Sequence, residues 1–207
     1  MKMVIAMAML SAAISAVAAG LPLSPRWISG NTAAPEKPAP VLVKEFALDA
    51  KPTKAMFSVA VAGWCEVYVN GAKVGRDVLS PVTCQPDMRL STIDFDVTDM
   101  LRAGTNSIEV LLGNGWFNTF TLDAWGFSNA PWLGAPKIKG ELVCDGKRLF
   151  ATDGSWRAYD SPIVFNSLRN GEWYDARKEG VRENGRAATV EKFEPWARIS
   201  PEDAVPC

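Results

Sequence analysis

The stretch Phe57-Ser-Val-Ala-Val-Ala-Gly-Trp-Cys-Glu-Val-Tyr-Val-Asn-Gly71 decides the fold. Phe57, Val59, Val61, Cys65, Val67 and Val69 all fall at odd positions. Successive side chains of a strand point to opposite faces, so this spacing predicts one apolar strand face, with Trp64 and Tyr68 on the other. Asn70-Gly71 ends the run. The tightest hairpin turn needs positive φ at both central residues, which Asn and Gly tolerate best.

The same texture extends outward. Ile93, Phe95 and Val97 alternate with Asp94 and Asp96, and Ile108, Val110 and Leu112 repeat the pattern. Lys137 to Cys144 is expected to turn through Asp145-Gly146 into Lys147 to Thr152, and then through Asp153-Gly154 into Ser155 to Tyr159. Further strands are expected at Ile163 to Asn166, Trp173 to Arg177 and Thr189 to Trp196, with Tyr174 on a core-facing position. Thr98 is expected to cap one helical turn that Gly104 stops. No amphipathic helix longer than about three turns is legible. Short strands separated by turn residues predict an all-β sandwich of antiparallel strands.

Composition narrows the function. The 207 residues carry 22 Lys and Arg against 23 Asp and Glu, a net charge of −1. Without basic clusters, this balance argues against a nucleic-acid or anionic-membrane partner. Hydrophobic residues make up 48%, enough for a packed core. Histidine is absent, which excludes Ser-His and Cys-His nucleophiles and His-ligated metals. The eight tryptophans suit a packed sandwich or a binding face.

The ends differ from the middle. Lys2, the apolar run from Val4 to Val17 and Ala16-Val17-Ala18 predict a secretory signal peptide over residues 1–18. Its removal would leave a secreted or periplasmic protein with no membrane span. Pro22, Pro25, Pro35, Pro38 and Pro40 mark residues 19–40 as an arm or linker that Trp27 pins to the domain. The sandwich is expected over 41–200, with 201–207 as a truncated tail. Export permits disulfides, and Cys65, Cys84, Cys144 and Cys207 allow three full pairings. A Cys65–Cys84 bridge and buried free thiols both fit the pattern.

Three segments carry a family likeness. They are Gly63-Trp-Cys-Glu-Val-Tyr-Val-Asn-Gly-Ala-Lys-Val-Gly75, followed by Leu79-Ser-Pro81; Phe95-Asp-Val-Thr-Asp-Met-Leu-Arg-Ala-Gly-Thr-Asn106, running on to Val110-Leu-Leu-Gly-Asn-Gly-Trp116; and Ser155-Trp156, Ser161-Pro-Ile163 and Asn170-Gly-Glu-Trp-Tyr-Asp-Ala-Arg177. In order and spacing the chain resembles the N-terminal β-sandwich domain of bacterial α-L-rhamnosidases. The resemblance implies a galactose-binding-like jelly roll. It also implies that the catalytic carboxylates belong to a separate helical-barrel domain with no counterpart in this sequence.

Site residues follow from both readings. Sugar recognition needs an aromatic ring against the apolar pyranose face and planar polar groups on the hydroxyls. Asn114 and Trp116 in the Gly-Asn-Gly-Trp turn, Asp123, Trp125 and Trp132 in the following loop, and Glu172 are the candidate sugar-binding residues. Asn114-Gly115 equally makes a turn, and Trp116 equally fills a core. The resemblance implies a calcium ion bridging the sugar hydroxyls, brings Pro162 and Asn166 near Asn114, and makes Asn114 and Asn166 candidate metal ligands. Calcium wants about six to eight oxygens, more than this sequence visibly gathers. Glu172 and Asp175 on one strand would lie about 10 Å apart on opposite faces, unsuited to flank one glycosidic bond.

Two functions are therefore expected for a chain that is not an enzyme by itself. One is a carbohydrate-binding accessory domain taking L-rhamnose or a similar hexose. The other is a structural piece that braces a separate rhamnosidase catalytic domain and has no ligand of its own.

Overall fold

A computed structural model of the chain describes residues 24–30, 37–82, 85–120 and 126–203. The expected leader over 1–18, Cys84, Asp123, Trp125 and residues 204–207 with Cys207 lie outside the described residues.

The described strands are β1 (Ile28–Ser29), β2 (Pro40–Leu48), β3 (Ala55–Ala62), β4 (Trp64–Val69), β5 (Ala72–Lys73), β6 (Arg89–Asp96), β7 (Gly104–Gly113) and β8 (Lys137–Cys144). They continue as β9 (Lys147–Ala151), β10 (Arg157–Asp160), β11 (Ile163–Ser167), β12 (Gly171–Tyr174), β13 (Glu183–Ala187), β14 (Thr189–Val190) and β15 (Arg198–Pro201). One seven-stranded sheet runs β14-β1-β8-β3-β6-β15, with β9 also on β8; a six-stranded sheet runs β13-β10-β2-β7-β4-β5. β11 and β12 form a separate two-stranded ribbon. Every pairing is antiparallel except β15 with β6, a correction to the all-antiparallel expectation. The chain enters β15 along the outer edge of β6 after leaving β14 at the opposite edge of the same sheet, so no hairpin dictates its direction.

The stretch read first as a single strand face is two strands in two sheets. β3 pairs with β6 and β8, and β4 pairs with β5 and β7. The break falls at Gly63, with φ of +115°, where an added Cβ would stand 2.6 Å from the Gly113 carbonyl oxygen. Only glycine takes that turn at that approach. Phe57, Val59 and Val61 face inward from one sheet, and Cys65, Val67 and Val69 face inward from the other; all six are buried. The period of two thus survives the switch, because both sheets share one core. Trp156, 0% exposed, fills the centre against Phe57 and Phe150, at 6.4 and 6.0 Å between ring centroids.

Turn chemistry follows the sequence. Asn70 and Gly71 take φ of 51° and 82°, and Asp145 and Gly146 take 48° and 76°, the doubly positive pattern of a tight hairpin. Asp145 also accepts hydrogen bonds at Oδ1 from the Thr53 and Lys54 backbone N–H groups and the Thr53 hydroxyl. These bonds hold its carboxyl below the usual carboxylate range.

Several local expectations change. Thr98 lies inside a 3-10 turn at Thr98–Met100, and its hydroxyl accepts from the Ala55 N–H instead of capping the turn. Within the expected arm, Trp27 is buried and Ile28–Ser29 pair with β8 and β14, so this part belongs to the sheet. Tyr174 is 54% exposed and Trp173 64%, not core. Strand alternation separates a buried from a wet face only where a second layer covers one of them, and a two-stranded ribbon lacks that cover. Cys65 and Cys144 are free thiols. Burial, then the charges of Glu202 and Glu66, push the Cys65 thiol up to about 12, so it behaves as a small core hydrophobe.

A second apolar cluster covers the outward side of the seven-stranded sheet. Ala60 and Ala62 of β3 leave room there for Trp27, Leu90, Phe117 and Ala197, with Trp132 and Phe193 packed over them.

Candidate functional site

The end of β7 runs into Gly113-Asn-Gly-Trp116, and there the ribbon is fastened to the six-stranded sheet. The Asn114 backbone N–H donates to Asn166 Oδ1 at 2.8 Å, and Asn114 Nδ2 donates to the Asn166 carbonyl at 2.8 Å. Asn118 Nδ2 donates to Asn114 Oδ1 at 2.9 Å. At the ribbon's other end, the Ala39 N–H donates to the Ile163 carbonyl at 2.8 Å and the Asp175 N–H to the Pro162 carbonyl at 2.9 Å.

This fastening leaves a cleft of about 460 Å³ between the ribbon and the outward face of β4 and β7. Trp64, Glu66 and Leu111 line its floor, and Asn166, Leu168 and Glu172 line its ribbon side. Outward positions on β4 follow from the inward ones: Cys65 and Val67 face the core, so Trp64 and Glu66 face out. One face of the Trp64 indole lies on Gly115. A Cβ there would meet three ring atoms at 3.2 to 3.4 Å, and Gly115 has φ of +51°. The Gly-Asn-Gly turn therefore seats an aromatic ring beside the cleft.

Charges on the floor are paired. Glu66 Oε1 accepts from Lys73 Nζ at 2.5 Å, and Oε2 accepts from the Tyr68 hydroxyl at 2.7 Å. Burial and that bond to Glu66 push the Tyr68 phenol above its ordinary value. Further along the same face, Arg182 joins Glu109 at 2.7 Å and Glu45 at 3.2 Å. Asp175 is held by Arg177 at 2.8 Å, which keeps its carboxyl below the usual range, and caps the 3-10 turn at Ala176–Lys178.

The expected site residues divide. Glu172 and Asn166 line the cleft. Asn114 is buried and fastens the ribbon from beneath. Trp116 meets Phe127 edge-on at 5.0 Å between ring centroids, has the Arg169 guanidinium 5.9 Å from its own, and gives its carbonyl to the Trp132 indole N–H at 3.1 Å. Trp132 belongs to the cluster on the opposite sheet, away from the cleft. Trp64 and Glu66 were not singled out as ligand residues. The signal available was the outward stripe of β4, but its meaning depends on the ribbon folding over it.

Asn114 and Asn166, the expected calcium ligands, are hydrogen-bonded to each other and to Asn118. Both amide oxygens already accept hydrogen bonds within the protein, Asn114 Oδ1 from Asn118 and Asn166 Oδ1 from the Asn114 N–H. Calcium takes about six to eight oxygens. Among the described residues, no group of three or more Cys, Asp or Glu side chains is placed to hold a metal ion.

The family profile described as the alpha-L-rhamnosidase N-terminal domain matches residues 50–200. An α-L-rhamnosidase of Streptomyces avermitilis is 34% identical over 132 residues, covering 62% of this chain and 13% of that protein. One from Formosa agariphila is 30% identical over 132 residues, again 13% of its length. The chain thus spans about an eighth of these curated relatives. The solved S. avermitilis α-L-rhamnosidase, complexed with L-rhamnose, superposes with a TM-score of 0.71 at 27% identity, over 83% of this chain and 18% of that one. An Aspergillus terreus α-L-rhamnosidase superposes at 0.72 and 23% identity, over 86% of this chain and 22% of that one, a likeness of fold alone.

Proposed function

Since the chain belongs to the α-L-rhamnosidase N-terminal domain family, we propose that it is a non-catalytic carbohydrate-binding domain whose cleft beneath the ribbon takes a terminal L-rhamnose or similar hexose. The observation that carries this reading is the cleft itself. An indole seated on Gly115, the Glu66 and Glu172 carboxylates and the Asn166 amide surround a volume of about 460 Å³. An aromatic ring with a few planar polar groups matches the two-sided chemistry of a pyranose. The S. avermitilis relative was solved with L-rhamnose, which makes that sugar the first to test.

Binding fits the carboxylates better than hydrolysis does. Glycoside cleavage needs one carboxyl group free to donate a proton and a second placed across the bond. Both Glu66 oxygens are engaged by Lys73 and Tyr68, and Glu172 stands on the exposed strand of the ribbon. The leader expected over residues 1–18 makes this an exported module, where terminal sugars of polysaccharides are accessible.

Titration calorimetry with L-rhamnose tests the proposal. Saturable binding that Trp64→Ala or Glu172→Gln weakens about tenfold is expected, with no rhamnose released from an aryl rhamnoside. Full affinity in both variants would refute the cleft. Exposed Met88 and Ile199 on the β6–β15 side favour a second reading, a brace against a separate rhamnosidase catalytic domain. Sedimentation of the two together tests it, and Met88→Ser with Ile199→Ser should abolish any complex.

A further inference from the structure

On the far side of the sandwich from the ribbon, β8 turns Ile138 into the core and Lys137 outward. Lys137 is nevertheless only 6% exposed. Its ammonium lies 4.7 Å from the Phe193 ring centroid and 5.7 Å from that of Phe117. The nearest carboxylate oxygen, Oε2 of Glu191, is 4.0 Å away, beyond hydrogen-bond reach, and Glu191 Oε1 accepts from the Ser29 hydroxyl. Burial pulls the Lys137 pKa below the ordinary lysine value, with Glu191 opposing the shift.

A pocket of about 340 Å³ opens over this ammonium, walled by Trp132, Phe193 and Trp196. Asp87 is on the same wall, and its Oδ1 is buried with no hydrogen-bond partner. An ammonium with unused donors and a carboxylate oxygen with an unused lone pair are each costly when removed from water. Here Lys137 and Asp87 line one aromatic cavity. Trp196, at the rim, is 88% exposed.

We propose that this pocket is a second carbohydrate site, taking a neutral pyranose. Its hydroxyl oxygens accept from Lys137 Nζ, one hydroxyl donates to the pocket-facing side of the Asp87 carboxylate, and its C–H face lies on the Trp196 ring. Charge decides against an acidic sugar. Lys137 and Lys192 are offset by Asp87, Glu191 and Glu194 around the same pocket, so a uronate carboxylate would meet like charges as it entered. The site shares no lining residue with the cleft and stands independently of it. With both occupied, one module grips two sugars on opposite faces.

The test uses the whole chain labelled with ¹⁵N, its indole N–H resonances assigned by single Trp→Phe changes. It is titrated with the methyl glycosides of L-rhamnose, D-galactose and D-glucose, and separately with sodium D-galacturonate. Saturable shifts of the Trp132 and Trp196 resonances with at least one neutral glycoside are expected. Lys137→Met and Asp87→Asn should each weaken that binding about tenfold, and Trp64→Ala should leave it unchanged. Trp196→Ala, at an exposed position that leaves the fold intact, should weaken it about fivefold or more. Three results would overturn the proposal: neither resonance moving with any neutral glycoside, tighter binding of galacturonate, or unchanged affinity in the Lys137, Asp87 and Trp196 variants. Movement of the Trp64 resonance reports the cleft separately.

Discussion

Replacing Asn166 by Ala should loosen the ribbon that roofs the cleft. The substitution removes the Oδ1 acceptor of the Asn114 backbone N–H, a 2.8 Å bond between residues 52 positions apart. Asn114 is 6% exposed, so its N–H loses its partner without gaining free access to water. Such an orphaned donor costs about 1–3 kcal/mol. The bond from Asn114 Nδ2 to the Asn166 carbonyl survives, because it uses backbone. A central value of about 2 kcal/mol corresponds to a fall of roughly 4–8 °C in Tm if the ribbon unfolds with the rest. If the ribbon opens alone, the global Tm moves less, and the effect appears as faster amide exchange over residues 163–174. Scanning calorimetry and hydrogen exchange on the same variant separate the two cases. Affinity at the cleft should fall in both, since Asn166 and Glu172 are carried by the ribbon. A variant with unchanged Tm, unchanged exchange across the ribbon and unchanged affinity would refute the claim that this bond fastens it.

Other consequences follow from the same geometry. Gly63→Ala places a Cβ 2.6 Å from the Gly113 carbonyl oxygen at φ of +115°, so denaturant unfolding should show a loss of about 2 kcal/mol or more, whereas the same change at Gly154, where a Cβ would make an ordinary 3.5 Å contact with Val190 Cγ2, should cost little. Trp156→Ala empties the centre of the core, and urea titration should register about 3–5 kcal/mol, with Trp196→Ala near zero as the exposed control. Acid should selectively weaken the Asp145 and Asp96 turns. Both carboxyls sit below their unfolded value, so their contribution is present above about pH 4 and lost as pH falls through the lowered folded-state values. The Tm gap between the wild type and Asp145→Asn should therefore narrow steadily below about pH 4, and a gap constant to pH 2 would contradict it.

Much of the fold is written in short-range chemistry. Lys137 to Cys144 was expected as a strand from its residues and is β8 from end to end. Asn70-Gly71 and Asp145-Gly146 turn with the positive φ values their types tolerate. These features depend on neighbours a few positions away, so a linear pattern carries them. The switch of sheet at Gly63 was harder to see. Inward facing is preserved on both sides of it, and a periodicity records only facing, not which sheet does the facing.

The candidate sites were legible only in part, because they are made by distant segments. Glu172 and Asn166 were recognised by type, yet the indole and carboxylate opposite them come from β4, about a hundred positions earlier in the chain. Trp132 is a candidate sugar-binding residue by type and by its place in the loop after the Gly-Asn-Gly-Trp turn, whereas packing carries it to the cluster on the other sheet.

By itself the sequence determined strand spacing, hairpin turns, the two-layered class and the absence of histidine chemistry, since each follows from local sterics or from residue type. Tertiary structure alone decided which sheet each strand joined, which tryptophans met solvent, and that Asn114 would spend its amide on fastening a ribbon. A side chain's environment is set by segments that arrive from far along the chain, and no local rule contains them.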